Sequence, residues 1–461
     1  MKHALALACL LLPLLPLPTL AQPAIPDTNA GRALSLWLQI MDGGGTDVIA
    51  RYNKAYHRDL DPNEVEIFRA TNGDGYQIEK FEQDDPDKLV VILVERDTGD
   101  HVRRTFALDP ADPSRALDFG SQKLPVQRLS QAEALAALAR RGDALAARDF
   151  FSGGVLVAHG NKILAEKTWG MADRAKGKPI TRHTRFRMGS MNKMFTAVAA
   201  LQLVSQGKLA LDGTVGQYLP DYPNKEIAAK VTIRMLLTHS GGTGDFFGPE
   251  FDKNRMKLRD NEDYMRFFGT RPPIFEPGSR ERYSNYGFIL LGHIVQVVSG
   301  ENYYAYINRH VFTPAGMTRS GSLPEAEKVP DRAQGYMRQN GKWVSNADTL
   351  PWRGMAAGGG YSTLEDMLKF VRALESGKLL PKTLVADAVS SHTKTNWYGY
   401  GFSIQGKDAE RWYGHGGGAP GMNGQLRVYP ELDRVVVAFS NLDPGTANAM
   451  SDYYEARMPL N

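Results

Sequence analysis

Cysteine is almost missing from this chain of 461 residues: the only one, Cys9, lies in an apolar opening segment, MKHALALACLLLPLLPLPTLAQPAIP. A single thiol excludes a disulfide framework within the chain, so its stability has to come from packing. Long apolar runs are missing too, because Pro13, Pro16 and Pro18 keep the opening segment short of the about 20 residues that span a bilayer. Lys2, the run from Ala4, and the small residues Thr19 and Ala21 instead read as a signal peptide over 1–21, cleaved after Ala21. The expected product is a secreted or periplasmic protein with no stable membrane insertion. Blocks of one charge are absent: the formal net charge of +4 is spread along the chain, with no basic helix carrying interleaved aromatics and no zinc-type Cys/His cluster. Nucleic acid is therefore not an expected partner; a small molecule or peptide is.

What is present is a globular composition, 42% hydrophobic and 23% charged, and a length that exceeds one ordinary domain. Residues 30 to about 58 carry helical spacing broken by Gly43-Gly44-Gly45, followed by the β-rich runs GYQIEKFE, KLVVILVER and HVRRTFAL. The last two flank a hairpin turn, DTGD. DPADPS (109–114) and Pro125 read as loosening the chain. We therefore place a small α+β accessory domain over 22–128 and a second domain over 129–461.

The second domain opens on an amphipathic helix, SQAEALAALARRGDALAARDF, and a hairpin, FSGGVLVAHGNKILAEKTWG. Helices are expected over 190–206, 232–238, 286–298, 302–311 and 363–375, the last started by a Ser362/Glu365 capping box. Strands return in YGYGFSIQ, ERWYGH, NGQLRVYP and RVVVAFS before a helix near 445–456. Strands from the two ends of this domain would share one sheet, with the helices inserted between them.

Three places carry chemistry. In FRMGSMNKMFTAVAAL, Ser190 and Lys193 lie three apart at a helix start, so the lysine can reach the serine hydroxyl. Burial among Met191, Met194 and Phe195 would lower the amine's pKa until it could accept a proton. The spacing also occurs at Ser205/Lys208 and Ser391/Lys394, and Ser190 could serve only as a helix cap. Only the pair at 190 combines a glycine turn, a helix start and apolar surroundings. In PGSRERYSNYGFILLGHIV, Tyr283 could move protons and Asn285 could hold substrate and lysine, the alternatives being a buried tyrosine and a capping asparagine. Tyr306/Asn308 repeats the pattern inside a helix. In WYGHGGGAPGMNGQLRVYP, His415 ends a strand and the following glycines admit backbone close to a ligand. The N–H groups of Gly418 and Ser190 could form an oxyanion hole. His239, in LLTHSGG, reads as a structural residue of a helix-ending turn. GGGAPG runs into a strand, which argues against a dinucleotide loop, and the chain has no Gly-x-Ser-x-Gly elbow.

Taken in order, Ser190-Met-Asn-Lys193, Tyr283-Ser-Asn285 and His415-Gly-Gly417 resemble the three motifs of the serine β-lactamase and penicillin-binding protein superfamily. The nearest branch is that of class C β-lactamase-related serine hydrolases, over roughly 150–461. The resemblance implies an α/β (α+β) fold, with an antiparallel sheet flanked by helices and a helical subdomain. It also implies an acyl-enzyme on Ser190, proton handling by Lys193 and Tyr283, substrate contacts from Asn285, His415 and Gly417, and no metal or cofactor. Class C enzymes carry lysine where His415 stands, and a neutral imidazole pulls less on a substrate carboxylate. An ester or amide, D-amino-acid peptides included, is the expected substrate. The alternatives are β-lactamase or D,D-carboxypeptidase activity, and a non-catalytic protein that binds peptidoglycan fragments. The accessory domain resembles the cystatin-like or nuclear-transport-factor-like domains attached to some secreted hydrolases. Oligomeric state stays open.

Overall fold

A computed structural model describes residues 23–72 and 75–461. The expected leader, with Cys9 and Ala21, lies outside the described residues. The chain divides into two compact units. The first ends at Leu60 and resumes over the stretch to Leu124; the second takes in Asp61–Asn72 and Pro125–Asn461.

In the first unit, α1 (Asn29–Met41) and α2 (Thr46–Tyr56) are separated where the three glycines predicted a break. They accompany an antiparallel sheet of β1 (Tyr76–Asp85), β2 (Lys88–Glu95), β3 (His101–Asp109), β4 (Asp112–Asp118) and β5 (Ser121–Lys123). Its order is β1-β2-β3-β4, with β5 also on β3. Trp37 of α1 packs on Tyr76 and Phe106 at ring-centroid distances of 5.0 and 6.2 Å. DPADPS does not loosen the chain as expected. The Asp109 and Asp112 carboxylates accept the Ala111 and Ser114 N–H groups, which closes a hairpin. Pro113 is tolerated because β4 is an edge strand, where a missing N–H need not break the ladder.

The second unit includes α3 (Pro62–Thr71), a helix the hydrophobic periodicity did not disclose. Its start was nevertheless written in the sequence: Asp61 caps the Asn63 and Glu64 N–H groups and proline occupies the first turn. α4 (Gln131–Ala147) begins with the Ser130/Glu133 capping box. β6 (Gly153–His159) and β7 (Lys162–Trp169) follow as the expected hairpin. The helices that matter most for the site are α5 (Asn192–Ser205), α6 (Asn285–Ser299) and α7 (Leu364–Glu375). Thr363 caps α7 by accepting the Asp366 N–H; Ser362, assigned that role from sequence, is instead paired in a short ladder with Phe186. β8 (Ser403–Gln405), β9 (Trp412–Ala419), β10 (Met422–Tyr429), β11 (Arg434–Ser440) and α8 (Thr446–Glu455) complete the unit.

These strands form one antiparallel sheet in the order β8-β9-β10-β11-β6-β7, so its middle joins both ends of the unit. Val155 and Val157 of β6 pack with Val436 and Ala438 of β11 and with Leu138 of α4 and Met450 of α8. Leu156, Ala158, Val435 and Val437 belong to the cluster on the other face, with α5, α6 and α7. Both faces are covered, which explains why these strands are continuously apolar and not alternating. Among the described residues no helix is long and apolar enough to cross a membrane.

Candidate active site

Ser190 does not cap a helix. It sits in a one-turn 3-10 segment, Gly189–Met191, ahead of α5, whose capping position, Met191, offers no side-chain hydrogen bond. Four contacts fix this turn. Phe186 stacks on Phe439 of β11 with ring centroids 5.5 Å apart, and Arg187 makes a buried pair with Glu325 at 2.6 Å. The Met188 N–H donates to Gly360 O (2.7 Å), and the Gly359 N–H donates to Gly189 O (3.2 Å). Gly189 has φ +52°, and a Cβ there would lie 2.8 Å from the Gly418 nitrogen. A Cβ on Gly417 would come 1.9 Å from Met188 O and 3.2 Å from the Ser190 nitrogen. The turn and β9 therefore touch backbone to backbone, which only glycines permit. This places the Ser190 and Gly418 amides, the pair expected to hold an oxyanion, on two chain segments in contact. β9 runs on through His415 to Ala419, so His415 lies within the strand and not at its end.

Lys193, the second residue of α5, is 0% exposed. Its Nζ lies 3.2 Å from Ser190 Oγ and donates to Asn285 Oδ1 (2.7 Å) and Ala357 O (2.7 Å). Desolvation pulls its pKa from 10.5 down to about 7, while Asp245 works in the opposite direction. A neutral amine has two N–H groups and one lone pair. The Asn285 and Ala357 oxygens can only accept, so they take both N–H groups and the lone pair faces the Ser190 hydroxyl.

Asn285 opens α6, and Ser284, not Asn285, is the capping residue, accepting the Gly287 N–H at 2.9 Å. Asn285 Nδ2 donates to Asp245 Oδ2 at 2.7 Å, which orients the amide so that its oxygen meets the lysine. Tyr283 shares a hydrogen bond with Ser190, and its ring lies 4.7 Å from Lys193 Nζ. Burial raises its pKa, the Ser190 bond partly offsets this, and Asp245 adds to the rise. The phenol is therefore held neutral.

His415 is buried with both ring nitrogens occupied. Nδ1–H donates to Gly416 O (2.5 Å), so Nε2 accepts from the Tyr398 hydroxyl (2.9 Å). Desolvation, with the nearby Lys193 charge, lowers its pKa to about 3. It presents no positive charge, and its ring centroid lies 6.2 Å from that of Tyr283.

The structure thus brings Ser190, Lys193, Tyr283, Asn285, His415, Gly417 and Gly418 together. Ser205 ends α5, Ser391 and Lys394 lie in a loop, and Tyr306 and Asn308 lie where a short helix turns into a π-helical turn. Sequence reasoning missed Asp245, Tyr398 and the backbone of Met355–Ala357. Three successive carbonyls there receive Asn192 Nδ2, Thr196 Oγ1 and Lys193 Nζ. Among the described residues no group of three or more His, Cys, Asp or Glu side chains is arranged to hold a metal ion.

Comparison with known proteins places this geometry. The chain is 31% identical to the putative penicillin-binding protein PbpX of Bacillus subtilis over 295 residues, covering 63% of this chain and 71% of that protein. It is 30% identical to esterase EstB of Burkholderia gladioli over 288 residues, 54% of this chain and 73% of the esterase. The crystal structure of a penicillin-binding protein from Bacillus halodurans superposes with TM-score 0.61 at 34% identity, covering 67% of this chain and 97% of that one. The Beta-lactamase family model matches residues 135–457, a span that holds the six-stranded sheet, α5 to α8 and every side chain of the cluster around Ser190. On that match, the protein belongs to the Beta-lactamase family of serine hydrolases.

Proposed function

We propose that this protein is an exported acyl hydrolase that cleaves an uncharged ester or amide through an acyl-enzyme on Ser190. The observation that carries the reading is the state of Lys193. Full burial, two acceptor-only oxygens and a pKa near 7 support a neutral amine whose lone pair meets the Ser190 hydroxyl 3.2 Å away. Lys193 takes the serine proton as Ser190 Oγ attacks the acyl carbon. Tyr283, whose phenolate is disfavoured, acts as a neutral O–H relay that delivers a proton to the leaving group, and water then releases the acyl group. The amides of Ser190 and Gly418 receive the developing oxyanion.

The substrate class follows from charge. His415 is neutral and engaged, and Asp245 is an exposed carboxylate two hydrogen bonds from Lys193. A free carboxylate beside the scissile bond would gain no positive charge from His415 and would lie near the Asp245 carboxylate. An esterase among the relatives is consistent with this, and D-amino-acid amides and esters fit the same condition. The apolar leader supports export.

The test is labelling with a fluorophosphonate, located by mass spectrometry, followed by turnover of a p-nitrophenyl ester, a D-alanyl anilide and a chromogenic cephalosporin. Label on Ser190, lost in Ser190→Ala, with ester turnover exceeding cephalosporin turnover, is expected. Equal labelling of folded Ser190→Ala would reject the nucleophile; faster cephalosporin turnover would reject the substrate class.

A further inference from the structure

The histidine read from sequence as an ordinary helix-ending residue is placed to do more. His239 follows the short helix Ile233–Leu237, is 2% exposed, and has φ +60°. Its main-chain oxygen accepts the Arg282 N–H (3.0 Å) and its Nδ1 accepts the Ser284 N–H (3.1 Å). One residue thus grips the chain on both sides of Tyr283. Its ring also lies against that phenol, with centroids 4.3 Å apart. Because Nδ1 accepts, the ring proton is on Nε2, and Nε2 is buried with no hydrogen-bond partner. Tyr398, Phe288 and Trp397 surround the ring at 4.5, 5.2 and 5.8 Å, the last nearly parallel at 8°. An unpartnered buried N–H costs stability, so a role confined to packing would be served better by an apolar side chain.

We infer that His239 is a positioning residue, which clamps residues 282–284 and the Tyr283 ring so that the phenol hydroxyl stays in register with Ser190 Oγ. The inference rests on the serine-hydrolase reading. A rotation or slip of Tyr283 would leave substrate binding in place but interrupt proton delivery, so the clamp acts on kcat and not on KM.

Two amides separate the roles of the two ring nitrogens. The oxygen of His239→Asn falls near Nδ1 and can accept the Ser284 N–H, and asparagine tolerates positive φ. The amide of His239→Gln reaches past that position, near Nε2. For ester hydrolysis, His239→Gln is expected to lose about a hundredfold in kcat with KM within about threefold, while His239→Asn keeps more than about a tenth of wild-type kcat. Thermal unfolding and circular dichroism report folding. Equal kcat for wild type and folded His239→Gln overturns the clamp, as does an Asn variant no better than the Gln variant. If His239→Gln does not fold, His239→Asn decides: kcat above about a tenth of wild type supports the clamp, and less in a folded protein rejects it. Wild-type labelling at Ser190 is measured first. Its absence defeats the hydrolase reading itself, whereas its presence with unchanged variants defeats only the clamp.

Discussion

Lys193 carries opposite demands. Burial makes its ammonium costly, and that cost is what prepares the amine to accept a proton. With the folded pKa near 7 and an unfolded value of 10.5, the unfolded chain binds more protons between those pH values, so this residue's contribution to stability rises with pH across that window. Lys193→Met, which removes the titration and roughly keeps the volume, should abolish ester hydrolysis. It should also be more stable than wild type near pH 7 by an amount that shrinks toward pH 10, read from urea midpoints at several pH values. A gap that widens with pH would contradict the desolvation account. Activity should climb with pH to a plateau above about 7. Asp245→Asn removes the charge that holds the Lys193 pKa up, so the acid limb should move to lower pH. In Asp245→Ala, kcat should in addition fall about tenfold or more because Asn285 loses its orienting acceptor, which the amide oxygen of Asp245→Asn can still supply. Side-chain types in order made Ser190, Lys193, Tyr283, Asn285 and His415 legible in the sequence. Asp245 was not, because one aspartate in a loop carries no spacing that marks it, and the Ala357 carbonyl was not, because any residue has one.

At the scale of elements, the site is a junction between a turn and a strand. Gly417→Ala would push a methyl to 1.9 Å from Met188 O, and only backbone movement can relieve that clash. We expect ester kcat/KM to fall at least about a hundredfold while secondary structure by circular dichroism is kept, since β9 has to leave the Ser190 turn. Wild-type kinetics in this variant would show that the backbone contact is dispensable. The same scale shows what periodicity discloses. β6 and β11 were clear because burial on both faces writes unbroken apolar runs. β4 and α3 were missed because their evidence lies in turn and cap chemistry: DPAD closes a hairpin, and Asp61-Pro62 starts a helix whose apolar face is short. The α7 cap moved by one residue because Ser362 and Thr363 are chemically interchangeable there and tertiary pairing chose between them.

For the whole molecule, sequence order and compactness disagree. α3 is read between pieces of the first unit but packs in the second, where Arg338 Nε donates to Glu66 Oε2 at 3.0 Å and Ile67 and Ala70 are buried. A chain started at Pro125 therefore lacks part of the catalytic unit. It should still label at Ser190, with Tm several degrees lower than that of a matched chain started at Asp61 only if α3 contributes about 1–2 kcal/mol. Equal Tm values would show that α3 is merely appended.

The pairing of β6 with β11 has a consequence in time. Val157 faces Val436 across that ladder, so the middle of the sheet closes over a very long stretch of intervening chain. Such distant pairing is slow and cannot be completed before residue 440 has left the ribosome. The turn that aims Ser190 leans on β9 and on Phe439, which belong to the same late-arriving segment. During synthesis the serine is therefore unassembled chemistry, and its reactivity switches on only with the final strands.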